Sequence, residues 1–202
     1  MQVIEWAHFL KNVLPLSESR SSLKCSMTVG IFDGVHRGHQ ALIERIISHN
    51  AEFIPVVVTF RQNHKIENNK ERIENKEQNT ASDIQTFQQR LDTFEKLGIQ
   101  IVIVVDFTED FKRMTGKEFF EILLKHSNLG FFAIGSDFRC GYKLDTDAPA
   151  IQKFFASRNI PVEIVPQVME DSLPISSSRI RAAIADGKIP LAKAMLGGYC
   201  DL

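Results

Sequence analysis

The 202 residues are enough to bury one sizeable core and fit a single domain better than two, and 44% hydrophobic with 24% charged residues is ordinary for a globular chain. A formal net charge of −1 argues against a surface built to bind nucleic acid, because that affinity comes from many Lys and Arg displacing phosphate counterions. Cys25, Cys140 and Cys200 are odd in number, far apart and in no metal-type spacing, and no apolar run approaches the ~20 residues of a membrane helix. Reduced thiols in a cytoplasmic chain without a signal peptide or transmembrane span are therefore expected.

Short runs of apolar, β-branched residues at Met27–Ile31, Phe53–Phe60, Gln100–Val105, Gly130–Ile134 and Val162–Val165 read as strands buried on both faces. Segments with helical spacing lie between them: Ala41, Leu42, Ile46 and Ile47; Ile84, Phe87, Leu91 and Phe94; Phe119, Phe120, Leu123 and Leu124; Ile151, Phe154 and Phe155. Strand and helix alternate, which predicts an α/β fold with a parallel sheet covered by helices on both faces and a ligand beyond the carboxyl ends of the strands. Gly98 is a candidate C-cap after the Phe87–Leu97 helix, and Ser176 a candidate N-cap before Arg179–Ala185.

The first informative stretch, Gly30-Ile31-Phe32-Asp33-Gly34-Val35-His36-Arg37-Gly38-His39, follows a buried strand and opens a helix. It matches neither the P-loop nor the dinucleotide glycine pattern. Gly34 and Gly38 let backbone approach a ligand, and His36 and His39 share one side of the first helical turn, where free amides and the helix dipole favour an anion. A zinc half-site and two uninvolved surface histidines are the competing readings. From Arg61 to Ala81 the chain is crowded with Asn, Gln, Lys and Glu, so 61–81 reads as a mobile surface insertion or a lid, its block Glu67–Glu77 transiently helical.

Gly135-Ser136-Asp137-Phe138-Arg139-Cys140-Gly141 follows another buried strand, with Asp137 and Arg139 either paired or free for a ligand. Ile175-Ser176-Ser177-Ser178-Arg179-Ile180-Arg181 follows the last one. There, hydroxyls, helix-start amides and the fork of Arg179 offer donors to phosphate, though a serine N-cap beside a surface arginine explains the pattern as well.

On these three motifs, together with Ala192 to Leu196 and Gly197, the chain from about Met27 to Tyr199 resembles the FAD synthetase domain of bacterial bifunctional riboflavin kinase/FAD synthetases, in the HxGH nucleotidyltransferase superfamily. The resemblance implies a Rossmann-like nucleotidyltransferase fold and in-line transfer of the adenylyl group of ATP to FMN, with Mg²⁺ on the phosphates. It assigns His36, His39 and Arg179 to catalysis. Gly30, Phe32, Asp33, Gly34, Gly38, Ser176, Ser177 and Ser178 join them around ATP.

Asp137, Arg139, Asp147, Asn63 and His64 fall to FMN. The chain departs from the family at Thr59-Phe60-Arg61-Gln62-Asn63-His64, where Thr-Phe-x-Pro-His-Pro is usual, and at Leu144, where the family has Arg. Because the chain stops at Leu202, one adenylyltransferase domain over 1–202 is expected, with a separate riboflavin kinase supplying FMN. The alternatives are a nucleotidyltransferase acting on another phosphorylated acceptor, and a non-catalytic flavin- or nucleotide-binding module.

Overall fold

A computed structural model describes residues 1–12, 14, 23–49, 52–61 and 83–200. In chain order the elements are β1 (Gln2–Glu5), α1 (Trp6–Phe9), β2 (Lys24–Val29), α2 (Arg37–Ile47), β3 (Phe53–Arg61), α3 (Phe87–Lys96), β4 (Ile101–Asp106), α4 (Glu109–Lys112) and α5 (Gly116–His126). There follow β5 (Leu129–Gly135), β6 (Arg139–Cys140), β7 (Thr146–Asp147), α6 (Ala148–Ala156), β8 (Val162–Val165), β9 (Met169–Glu170), β10 (Leu173–Pro174), α7 (Ser177–Ala185) and α8 (Ile189–Leu196). The principal sheet has six strands in the order β1-β4-β3-β2-β5-β8, and every pairing in it is parallel.

Alternate strand residues feed two cores. Val56, Val58, Ile101, Ile103, Phe132 and Ile134 pack under α1, α5 and α6 with Phe9, Phe120, Leu123 and Phe155. Val57, Val102, Val104, Phe131 and Ala133 face the other way, onto Ile43 and Ile46 of α2 and Leu91 and Phe94 of α3. Helices therefore cover both faces, and burying each such side chain is worth roughly 1.5–3 kcal/mol, enough to fix the register of every strand. A third, smaller core of Ile175, Ile180, Ala183, Ala192, Met195, Leu196 and Cys200 joins α7 to α8.

Five of the six principal strands were legible as apolar runs. The sixth, β1, was not, because it is a four-residue edge strand in which Ile4 alone is buried. The first of the five runs from Lys24 to Val29 and not from Met27 to Ile31. It begins earlier because buried Ser26 satisfies its hydroxyl on the Ile46 carbonyl at 2.7 Å. It ends earlier because Phe32 adopts a left-handed φ of 58°. Ile84 precedes α3, which Thr86 and Gln89 open with a capping box. Gly98, at φ 91°, follows that helix as expected. The segment 61–81 lies outside the described residues apart from Arg61, the last residue of β3, and so does the block Glu67–Glu77.

β2 lies between β3 and β5, so the chain leaves it toward one edge and later returns to its other side. That reversal makes the carboxyl end of β2 the point where a doubly wound sheet opens a crevice.

Candidate active site

The connection from β2 to α2 is held in a costly shape. Phe32 at φ 58°, Gly34 at φ 79° and Val35 at φ 35° are all left-handed, and for the two that carry a Cβ such a backbone costs of order 1–3 kcal/mol each. A side chain at Gly34 would also meet Ile84 and Leu196 at 3.1–3.2 Å. Burial offsets the strain: the Phe32 ring is fully enclosed and meets Phe94 edge-on, with centroids 5.5 Å apart. Arg90, itself buried, donates to the carbonyl of Ile31 and to that of Phe60 at 3.3 Å.

This loop delivers His36 as the N-cap of α2 and His39 one turn on, their rings stacked at 3.6 Å and 17°. A Cβ at Gly38 would come within 3.2 Å of the His36 ring, so glycine there makes room for the imidazole. Burial lowers the pKa of His36 from 6.5 to about 4 against the opposing pull of a backbone contact and of Asp137. It lowers His39 well below its usual value, with His36 and Arg90 adding to the effect. Both rings are thus neutral near pH 7.

His36 Nδ1 accepts the His39 amide at a long 3.4 Å, while His39 Nδ1 is enclosed with no hydrogen-bond partner among the described residues. An enclosed bare acceptor costs less than an enclosed unpaired N–H, so each ring carries its proton on Nε2. In that form both rings can donate hydrogen bonds from Nε2 where they line the cavity.

A pH dependence follows. A histidine whose folded pKa lies below its unfolded one leaves the unfolded chain binding more protons, so stability is lost as pH falls from about 6.5 toward 4. For His36 alone the loss is roughly 3 kcal/mol. Scanning calorimetry of the wild type and His36→Asn, which keeps a capping acceptor, is expected to show the steeper fall of Tm between pH 7 and 4 in the wild type. Parallel curves would contradict the buried neutral imidazole.

Ser176 caps α7 as expected, accepting the Arg179 amide at 3.2 Å. Ser177 donates its hydroxyl to the carbonyl of Asp33 at 2.9 Å, which joins the two motifs 144 residues apart in sequence. Arg179 departs from expectation. Its guanidinium folds back to donate to the carbonyls of Leu173 at 2.9 Å and Pro174 at 3.4 Å, and it does not line the cavity. Arg181 does, with one nitrogen donating to Asp33 Oδ2 at 2.6 Å. Spacing could have shown this, since Ser177 and Arg181 stand four apart on one helical face.

The cavity at the carboxyl end of β2 holds about 710 Å³, within the range of small-molecule sites. Gly30, Phe32, Asp33, His36, Gly38, His39, Ser176, Ser177, Ser178 and Arg181 line one part of it; Gly34 stands behind the wall. Phe60, Phe107, Phe111, Met114, Phe119 and Phe138 line another, on the α4–α5 side of the sheet. Phe60 and Phe107 stack at 4.8 Å and 25°, and Phe107, 42% exposed, offers its ring to the cavity. This aromatic wall was not read from the sequence, because its members are scattered and look like core.

Asp137 and Arg139 line the cavity without the ion pair considered for them; Asp137 accepts from Gln167 at 2.8 Å. Asp147 is not on the wall but caps α6 through the Ala150 amide. Asn63 and His64 lie outside the described residues. Leu144, where the resemblance leads one to expect Arg, is exposed on the wall. Cys140 also lines the cavity, but burial and then Asp145 push its thiol up to about 12, so it supplies no thiolate nucleophile at neutral pH. Among the described residues no disulfide joins Cys25, Cys140 or Cys200.

A family model described as FAD synthetase matches residues 18–179. The chain belongs to the FAD synthetase family. It is 29% identical over 180 residues to a bifunctional riboflavin kinase/FMN adenylyltransferase of Escherichia coli K12, covering 86% of this chain and 54% of that protein. It is 28% identical to a protein of the same description from Buchnera aphidicola (subsp. Schizaphis graminum), over 98% of this chain and 60% of the relative. Identity to an FAD synthetase of Listeria monocytogenes is 27%, over 90% of this chain and 72% of the relative.

The chain thus spans little more than half the length of the bifunctional relatives. A crystal structure described as a macrolide-efflux protein from Streptococcus pneumoniae superposes with a TM-score of 0.77 at 26% identity, over 98% of this chain and 60% of that one. That likeness bears on the fold. Among the described residues no helix is long and apolar enough to cross a membrane.

Proposed function

We propose that the protein is an FMN adenylyltransferase, converting ATP and FMN to FAD and pyrophosphate. One observation carries the reading: a single cavity joins a phosphate-type wall of two helix starts, paired neutral imidazoles and a guanidinium to an aromatic wall. A flavin ring needs the second and a triphosphate the first. Membership of the FAD synthetase family supports both assignments.

In this reaction a phosphate oxygen of FMN attacks the α-phosphorus of ATP in line. The new P–O bond forms as the bond from the α-phosphorus to the α–β bridging oxygen breaks, and pyrophosphate leaves with the electron pair. FMN phosphate is already ionised at neutral pH, so no general base is required and the task is positioning and charge stabilisation. His36 and His39 Nε2–H donate to the α-phosphate and bridging oxygens. The Ser178 hydroxyl, Arg181 and the free amides at the Ser176–Ser178 end of α7 receive the departing pyrophosphate, the Ser177 hydroxyl being committed to the Asp33 carbonyl.

Arg179 supports the turn that presents α7 and no longer has the catalytic role expected of it. Mg²⁺ would enter with ATP, held chiefly by the nucleotide's own phosphates, and would offset the charge that develops on them. Asp137 and Arg139 remain candidates for the FMN ribityl phosphate.

If the isoalloxazine ring stacks on the aromatic wall, FMN fluorescence will be quenched on binding. Phe107→Ala will weaken that binding about tenfold, as loss of one stacking ring typically does, while the KM for ATP stays put. Unquenched FMN in a titration of the wild type, or equal affinities for both proteins, would remove the flavin from this wall.

A further inference from the structure

We infer that Asp33 is the positioning residue that aligns the two halves of the phosphate wall, acting through Arg181 and Ser177 without touching the nucleotide. The inference deepens the adenylyltransferase reading and rests on it. The two halves belong to different packing units: the histidines sit at the start of α2, over the core shared with α3, whereas Ser177 and Arg181 sit on α7, which has a small core of its own with α8. Their relative position must be held to within about half an ångström for a reacting phosphate to meet both.

Several polar links join the two units away from the cavity. Arg37 donates to Glu170 and to the Ala194 carbonyl, Gln40 donates to the Leu196 carbonyl at 2.7 Å, and Gln85 and Thr93 reach the Tyr199 carbonyl at 3.4 Å. None of those four donors lines the cavity, and Asp33 does. Its side chain is 6% exposed. Oδ1 accepts the amides of Ile84 at 2.9 Å and Gln85 at 3.4 Å, Oδ2 accepts Arg181 at 2.6 Å, and the main-chain oxygen accepts Ser177 at 2.9 Å. One enclosed residue is thus bonded by the approach to α3, the first turn of α7 and the guanidinium on its second. With its acceptors so engaged and its charge paired with Arg181, the carboxylate has no donor to offer a triphosphate and acts by orienting the cation that does.

The test is a double-mutant cycle of Asp33→Asn and Arg181→Gln. It is read by calorimetric binding of α,β-methylene-ATP and by KM and kcat for FAD formation, with thermal unfolding of each protein alongside. Asp33→Asn preserves shape and an acceptor for the two amides but loses the charge that holds Arg181. It is expected to weaken binding of the analogue and raise the KM for ATP about tenfold, leave the KM for FMN unchanged, and have less than about a twofold effect in the Arg181→Gln background.

Asp33→Glu, which restores a carboxylate, is expected to recover part of the loss, and it serves also if the Asn variant is too unstable to purify. An Asp33→Asn effect of the same size in both backgrounds, a Glu variant no better than Asn, or unchanged binding would each overturn the inference. Because the analogue's affinity is read directly, the coupling is measured even if no FAD is formed, which separates this inference from the adenylyltransferase reading itself.

Discussion

Replacing His39 by Ala is expected to lower kcat for FAD formation by roughly 10²–10³-fold, the usual cost of removing one preorganised donor from a developing oxyanion. His39 is the cleaner of the two imidazoles to remove. His36 is also the N-cap of α2, so His36→Ala adds a loss of about 1 kcal/mol of helix stability to any catalytic effect. The sealed Nδ1 of His39 leaves Nε2 as its working atom, and the ring is neutral when free because burial holds its pKa well down. Measured kcat/KM equal to that of the wild type, in a variant with an unchanged circular dichroism spectrum, would remove the pair from the reaction.

The second large effect is expected at Arg181 and sets it apart from Arg179. Arg181→Lys replaces a planar fork, one nitrogen of which is fixed on Asp33, with an ammonium that cannot face both the carboxylate and a phosphate. A rise in the KM for ATP with a fall in kcat, together about 10²-fold in kcat/KM, is the expected outcome. Arg179→Lys alters bonds to the carbonyls of Leu173 and Pro174 on the surface and should change kcat/KM by only a fewfold. Steady-state kinetics of the two variants side by side decide the matter, and the reverse order of severity would return the triphosphate to Arg179.

The same pair of arginines shows how far the sequence could be read. Ser-Ser-Ser-Arg draws the eye to Arg179 because it is adjacent, but a helix presents residues four apart on one face, and the cavity receives Ser177 with Arg181. The β2–α2 loop was legible because glycines beside two histidines, after a buried strand, have few other uses. Its cost, the left-handed φ of Phe32 and Val35, was not, because the partners that hold it, Arg90 and Phe94, come from α3.

Asp147 kept its place in the motif but serves as a helix cap, a role that any acidic residue before Ala-Pro-Ala could take. The aromatic wall escaped notice for a different reason. Phe60, Phe111 and Phe119 do pack into or against the core, whereas Phe107, in the connection between β4 and α4, is turned outward.

The most direct measurement is the fate of each phosphate. The 202-residue chain is incubated with FMN, Mg²⁺ and ATP labelled at either the α- or the γ-phosphate, and the products are resolved by chromatography. Adenylyl transfer requires FAD and pyrophosphate in equal amounts, with α-label in FAD, γ-label in pyrophosphate and none retained on the protein. Release of ADP, label held covalently by the protein, or FMN left unchanged while ATP is consumed would contradict it.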